Sequence, residues 1–406
     1  MTQSTIPAHV PAELVWDHKL NDFTFEGDDP FIAAGRLHEG PGIIWSTEAS
    51  LGQASWVFTR YDIIRDAFAD YELFSSTRDS STGEVLKDTV RMIPVEVDPP
   101  EHSHYRRLLN PFFGPKKIND YSDMVQGTCN RLIDAIKNPA RCEFISEFAD
   151  VFPNSIFLSL MGMPQEKLPQ FLEWDRQLLR SGDQADFESA QQASKMIFGY
   201  LHSFLAEQRD NPEQQTPFVK GLLEGTIEGR PLTDQEILGT WFLFYVAGLD
   251  TVYATLGWVM RHLAKDTALQ DHLRANPQDI PKAVDEFTRA YAVPAPHRRV
   301  AKDCEFYGVK LKENDVVLLP TYLAARDPYA YENPHTIDIN RQARSVTFAN
   351  GPHTCLGVHL AKREIRVVLE TFLARFKSIR LPEGGAYQYH TGGVLGVDKL
   401  DLILEV

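Results

Sequence analysis

Between Thr240 and Arg261 the chain carries 20 residues, WFLFYVAGLDTVYATLGWVM, whose single formal charge is Asp250. A stretch of this length and polarity has two structural solutions, a membrane span or a helix buried in the core of a large globular fold. The acid decides between them, because at the centre of a span it would cost roughly 2.5–3.5 kcal/mol on insertion scales. The run therefore reads as a long core helix, apolar almost all round. An Asp-Thr pair in the middle of such a helix requires a purpose. The opening residues, MTQSTIPAHVPAELVWDHKL, lack a basic start followed by an apolar segment. No signal peptide or membrane anchor is expected there, and the expected compartment is the cytoplasm.

Helical patterns surround this run. Asp98-PPEHSHYRRLL reads as a turn and a helix start, with His102 and Arg106 on one face at i, i+4 spacing, and Asn110-PFFGPKK closes that helix. Ile145 to Met161, interrupted by Pro153, and Phe187 to Arg209 show helical periodicity, while Thr216 to Thr240 mixes helix and turn signals. Strand signals are short: Gly42-IIWS, Ser55-WVFT, and Arg299 to Pro320 read as a hairpin turning near Lys312 to Asp315. The expected class is mainly α with small β-sheets, in one catalytic unit over residues 1–406 without internal repeats. Forty-one basic against 56 acidic residues, net −15, exclude a nucleic-acid partner recognised through phosphate. Four scattered cysteines, Cys129, Cys142, Cys304 and Cys355, fit neither a disulfide scaffold nor a zinc site.

One cysteine stands apart. In Phe348-ANGPHTCLGVHLAKRE a glycine-punctuated loop presents Cys355 just before a helix, where the helix N-terminus and nearby amides can stabilise a thiolate. Gly351 and Gly357 allow a flat ligand to approach the backbone. A lone cysteine is more often a small buried hydrophobe, but the residues around this one argue otherwise.

The pattern Phe348-x-x-Gly351-x-His353-x-Cys355-x-Gly357, followed by Ala361, resembles the haem-binding loop of the cytochrome P450 haem-thiolate monooxygenases. The likeness runs from about Pro11 to Val406 and is nearest to the soluble bacterial branch that includes camphor hydroxylase. It implies a helical prism holding haem b, iron protoporphyrin IX, between the long central helix and the cysteine loop, with Cys355 as the iron ligand. A thiolate there pushes electron density toward the iron and favours O–O cleavage. By the same resemblance Glu286-x-x-Arg289, with Arg341 downstream, forms a structural ion network holding the loop. Ala247-Gly-Leu-Asp250-Thr251 resembles the acid-alcohol pair of the family's oxygen-binding groove, where Thr251 steadies the oxygen being reduced and Asp250 delivers protons. A threonine alone in a core helix would more simply bond back to an i−4 carbonyl. His102, Arg106, His353 and Arg298, or Arg299 after a one-residue shift, are implied around the haem propionates, with Phe348, Gly357 and Ala247 also against the cofactor.

The same register implies a substrate pocket of Val90, Met92, Val95, Leu243, Val246, Pro294, Gly393 and Val394 beside Ala247. Val90 stands where the camphor enzyme has a hydrogen-bonding tyrosine. Without that donor an apolar pocket binds by area and shape, so a compact hydrophobic substrate, a terpenoid or norisoprenoid, is expected, with Tyr245 or a water as a further source of a hydrogen bond. The chain encodes no flavin or iron-sulfur module. From Arg341 to Arg380 eight basic residues face two acids, Glu364 and Glu370, and His102 to Lys117 adds Arg106, Arg107, Lys116 and Lys117 without an acid. A basic face behind Cys355 suits an acidic ferredoxin, supplied from NAD(P)H by a ferredoxin reductase. The protein is expected to be a monomer that meets neither membrane nor nucleic acid. The alternative from another class is a haem-thiolate binding or sensor protein without turnover, against which Asp250-Thr251 argues.

Overall fold

The computed structural model describes residues 6–19, 29–50, 53–77, 91–179, 187–342, 344–385 and 387–406. The apolar run lies within one helix, Asp234–Lys265, 32 residues long. Thr233 starts it with a reciprocal cap: its hydroxyl accepts from Glu236 N at 3.3 Å and Glu236 Oε2 accepts from Thr233 N at 2.6 Å. Asp234 and Glu236 in the first turn and His262 and Lys265 in the last complement the helix dipole. Length and hydropathy would let this helix cross a membrane, yet 65% of its most apolar 18-residue window is buried by protein. Trp241, Phe242, Tyr253 and Leu256 are wholly buried. Burying each such side chain contributes roughly 1.5–3 kcal/mol.

Helices Val151–Met161, Leu168–Leu179 and Phe187–Asp210 pack around the central helix, and strand Gly396–Glu405 crosses it. Gly257 is the crossing point: a Cβ there would stand 2.9 Å from Val397 Cβ. That contact offsets the roughly 1 kcal/mol that glycine costs a helix interior. Pro153 falls in the first turn of Val151–Met161, where its missing N–H breaks no bond, and the preceding Ile145–Ala149 forms a π-helical turn. Helix Glu101–Phe113 continues through Pro111 and is closed by Gly114, so the proline does not end it as its position suggested.

The largest sheet has the order Val15–Lys19, Ile43–Ser50, Gln53–Phe58, Val316–Leu318, His297–Val300, Phe74–Ser75. The single hairpin expected over Arg299 to Pro320 is two nested ones. The outer pairs His297–Val300 with Val316–Leu318; the inner pairs Cys304–Phe306 with Val309–Leu311. The inner turn is Tyr307-Gly308, at φ 50° and 79°, the double left-handed geometry of a tight two-residue hairpin loop. A second sheet joins Ser378–Arg380, Gly396–Glu405 and Tyr387–His390, with Cys142–Glu143 pairing alongside.

Candidate active site

The loop before helix Val358–Arg375 is shaped by one glycine. Gly351 has φ 74°, and a Cβ there would lie 2.9 Å from Ala69 Cα and 3.0 Å from Phe68 O. The close approach at Gly351 is thus made by helix Tyr61–Ala69 and not by a ligand, which corrects the sequence reading of that glycine. A short 3-10 turn, Gly351–His353, follows, and Cys355 N donates to Phe348 O at 2.9 Å. The loop folds back so that the Cys355 side chain, solvent-accessible where it faces the cavity, lines that cavity with Gly357 and Phe348 beside it. Burial pushes this thiol above its ordinary range, against the Gly357 amide and the Arg106 guanidinium, which both favour the thiolate. Cys129 and Cys142, by contrast, are buried away from the cavity, and burial pushes them up to about 12, which disfavours a reactive thiolate.

The cavity, about 1730 Å³ of empty space partly open to solvent, has the central helix as another wall, through Leu243, Ala247, Gly248, Thr251, Val252 and Thr255. The Thr251 hydroxyl lines the cavity and donates to Ala247 O at 3.3 Å. Asp250, 4% exposed, does not line it, so acid and alcohol leave the helix in different directions.

A polar corner closes one end. His102 and Arg106 line the cavity from one face of helix Glu101–Phe113, and His353 lines it from the cysteine loop. The two imidazoles lie 4.3 Å apart between ring centroids. Burial first, then His353 and Arg106, lowers the His102 pKa to about 3; burial likewise lowers that of His353. In the protein alone both rings are therefore neutral, and the fixed charge of the corner is that of arginine. Arg106 donates to Thr354 O at 2.7 Å and to Asn110 Oδ1 at 3.0 Å. Strand alternation separates the two arginines left open by sequence. Arg298 is buried with its guanidinium 5.6 Å from the ring centroid of Phe68, a cavity residue, and its charge reaches His353. Arg299 faces the other way and donates to Asn314 O at 3.1 Å. Arg298 is not itself among the lining residues.

Of the residues expected around a substrate, Val95, Leu243, Ala247 and Pro294 line the cavity. Met92, Val246, Gly393 and Val394 do not; Val394 bridges to Pro294 and Gly393 O accepts from Ala295 N at 2.9 Å, placing both behind the wall. Val90 lies outside the described residues. Tyr245 cannot serve the cavity either, because it is fully buried and its hydroxyl donates to Phe171 O at 2.7 Å. Sequence reasoning missed Phe68, Phe157, Val293, Pro296 and Glu364, which enter from four separate segments without a local signal. Glu364 is one of the two acids set against the basic residues between Arg341 and Arg380. It is buried, and burial holds its carboxyl well above the usual range, hence neutral.

Glu286, Arg289 and Arg341 meet beneath the loop. Arg289 donates Nη2 to Glu286 Oε1 at 2.7 Å and Nε to Oε2 at 2.8 Å, and Arg341 Nε adds a third bond at 3.1 Å. Arg289 also donates to Ala325 O and Pro334 O, which fixes the segment leading to the loop. Thr347 Oγ1 donates to Thr288 O at 2.9 Å, tying that segment to the same helix next to Phe348.

Whether a haem fits can be judged from these residues. His353 Nε2 is buried and makes no hydrogen bond within ordinary limits, Cys355 opens inward, and arginines flank a cavity otherwise largely apolar. A thiol, largely apolar walls and a cationic corner fit a thiolate-ligated porphyrin with two carboxylates. Cys355 would hold the iron, and His102, Arg106, His353 and Arg298 the carboxylates.

Comparison with known proteins carries this further. A family model described as cytochrome P450 matches residues 25–395. A probable cytochrome P450 127A1 of Sinorhizobium fredii is 36% identical over 407 residues, covering 98% of this chain and 96% of the relative. Cytochrome P450(BM-1) of Priestia megaterium is 30% identical over 80% of this chain and 82% of its own length. The crystal structure of CYP101J2 superposes with a TM-score of 0.88 at 32% identity, and that of CYP101C1 with 0.87 at 29%, each covering 99% of this chain and 100% of the other. The chain belongs to the cytochrome P450 family. It is a monooxygenase with a haem-thiolate cofactor, which decides against a binding or sensor protein without turnover.

Proposed function

We propose that this enzyme hydroxylates a compact hydrophobic molecule, a terpenoid or norisoprenoid, with one atom of dioxygen, the other leaving as water. The observation that carries the reading is the apolar character of the walls that Val95, Leu243, Ala247, Val252, Val293 and Pro294 contribute to the cavity onto which Cys355 and Thr251 open. Nearby hydroxyls are spent on backbone: Thr321 Oγ1 donates to Pro294 O at 2.6 Å and Thr288 Oγ1 to Asp285 O at 3.0 Å. Binding is then driven by area, at about 25 cal/mol per Å² removed from water, and orientation by shape. Bound haem supplies the reduction of dioxygen and the oxygen insertion. The chain's own part is to exclude water with the apolar walls, to hold a proton-bearing water at the Thr251 hydroxyl, and to feed protons toward it from Asp250. All of this belongs to one catalytic unit of residues 1–406, acting as a monomer in the cytoplasm.

Electrons come from a separate acidic ferredoxin, itself reduced from NAD(P)H by a ferredoxin reductase. Much of the basic excess in the sequence is internally paired: Lys362 with Asp285, Arg366 with Glu370, Arg375 with Asp134 and Arg341 with Glu286. Among the described residues Arg107, Lys116 and Arg363 have no carboxylate partner. They stand on three neighbouring helices, Glu101–Phe113, Pro115–Asp120 and Val358–Arg375. Arg363 Nη2 donates to Asn119 Oδ1, which joins two of these helices into one surface. That smaller patch supports the docking site.

Two measurements test the proposal. A reduced, carbon-monoxide-bound spectrum is expected to show the red-shifted Soret band of a thiolate ligand, lost in C355A; a wild-type spectrum without it overturns Cys355 as the ligand. A screen of terpenoids, norisoprenoids and small aromatics for a low-to-high spin shift is expected to select the first two classes. A response confined to small polar aromatics overturns the substrate class.

A further inference from the structure

Asp98 lies at the junction of the segments that supply the polar corner. Its backbone carbonyl accepts from His102 N at 3.0 Å, starting helix Glu101–Phe113, and its own N donates to Thr77 Oγ1 at 3.1 Å. The carboxylate accepts from the Ser75 hydroxyl and from Ser76 N at 3.1 Å. Ser75 in turn pairs with Arg299, next to Arg298. On the remaining side, Asp98 Oδ1 stands 3.5 Å from His353 Nε2, and no other group among the described residues bonds that nitrogen. His353 is 4% exposed at its side chain, and the His102 ring lies against it at 4.3 Å between centroids, tilted by 43°. Burial alone would raise the Asp98 carboxyl, but His353, Ser75, Ser76 and Thr77 together bring it well below the usual carboxylate range. The acid is therefore an anion fixed from two sides and aimed at one imidazole edge.

Resting on the reading of the corner as the seat of the haem carboxylates, we infer that Asp98 is a positioning residue: it fixes the orientation of the His353 imidazole, and through it the seating of the cofactor's carboxylates. Asp98 itself lines no part of the cavity. A ring held between a close tilted neighbour and a single anion has few rotamers left, and that restriction would let the imidazole meet a carboxylate in one geometry. The physical alternative is that Asp98 only caps the helix start and the strand end, in which case His353 is indifferent to it.

The test uses the haem-loaded enzyme with D98A, D98N, H353A and the double variant D98A/H353A. The readouts are the propionate bending bands in the resonance Raman spectrum and the rate of haem transfer to apomyoglobin. D98A is expected to shift those bands and to accelerate haem loss about tenfold, as removal of an outer partner of a ligand does. In the H353A background the Asp98 substitution is expected to add nothing further. Propionate bands unchanged in D98A, or additive effects in the double variant, overturn the inference. D98N keeps an acceptor for Ser75 and Ser76, and if D98A fails to fold it decides the matter by the same bands. The carbon-monoxide spectrum separates the two levels: an absent thiolate band in the wild type overturns the haem-site reading, whereas a normal band with insensitive propionate bands overturns Asp98 alone.

Discussion

Arg106 donates from Nη1 to the backbone carbonyl of Thr354 at 2.7 Å, so helix Glu101–Phe113 is bonded directly to the residue preceding Cys355. A hydrogen bond from a charged donor contributes about 1.5–3 kcal/mol. R106A is expected to lower the haem-to-protein ratio and hasten haem loss. R106K is expected to recover it only partly, because an ammonium cannot span Thr354 and Asn110 as the guanidinium does. Full haem content in R106A, by pyridine haemochrome assay, contradicts this.

Thr251 is the cavity-facing hydroxyl nearest in sequence to the buried Asp250. T251A is expected to keep consuming NAD(P)H while most of the electrons appear as hydrogen peroxide, and T251S to restore coupling. D250N is expected to slow turnover by about 10²-fold with an increased solvent isotope effect, within the range for a lost proton donor. Unchanged product yield per NAD(P)H in T251A refutes the assignment.

Glu286 is 4% exposed and accepts from Arg289, Arg341 and Asp338 N. Removing one partner of a buried ion pair typically costs about 3–5 kcal/mol, because the opposite charge is stranded. E286A is therefore expected to yield little folded haem protein, and E286Q to fold with a lowered melting temperature. A wild-type thermal profile for E286A contradicts this.

Charge reversal at Arg107 or Arg363 is expected to slow ferredoxin-dependent reduction, with a smaller deficit as salt rises, and to leave the substrate spin shift unaltered. Equal rates for both variants at low salt count against the docking surface.

Glu236 links the start of the central helix to two other segments, accepting from Arg230 at 2.7 Å and from the Tyr105 hydroxyl at 2.7 Å. The Arg230 bond, opposed by burial, lowers its carboxyl to about 2 from an ordinary 4.5. A depressed folded-state value means stability present above 4.5 and lost as pH falls toward 2. E236Q is expected to be less stable than wild type at pH 7 and to converge with it near pH 2 in denaturant titrations. A constant gap across that window refutes the linkage.

Some of the site was legible in the order of residues because its parts are local. A cysteine framed by glycines, a Glu and an Arg at i, i+3, and an apolar run broken by Asp-Thr are short-range patterns that the family resemblance turns into a haem loop, an ion network and an acid-alcohol pair. The double left-handed turn at Tyr307-Gly308 is masked in the sequence by a later glycine-free turn with the stronger polar signal. Tyr245 illustrates the opposite limit: a phenol on the right helix turned its hydroxyl to Phe171, and only packing decides which face a residue of an all-apolar helix presents.

By itself, then, the sequence determined a buried acid and alcohol on one long helix, a thiol on a loop, and an ion network to brace that loop. The tertiary structure decided the convergence. It brought the His102 and His353 rings within 4.3 Å of each other, sent Arg298 inward and Arg299 outward, pressed helix Tyr61–Ala69 against Gly351, and buried Glu364 as a neutral acid. It also paired half of the basic residues behind Cys355 with nearby carboxylates. The physical reason is range: helical spacing and turn chemistry act over a few residues, whereas desolvation, charge pairing and cavity shape depend on residues hundreds of positions apart.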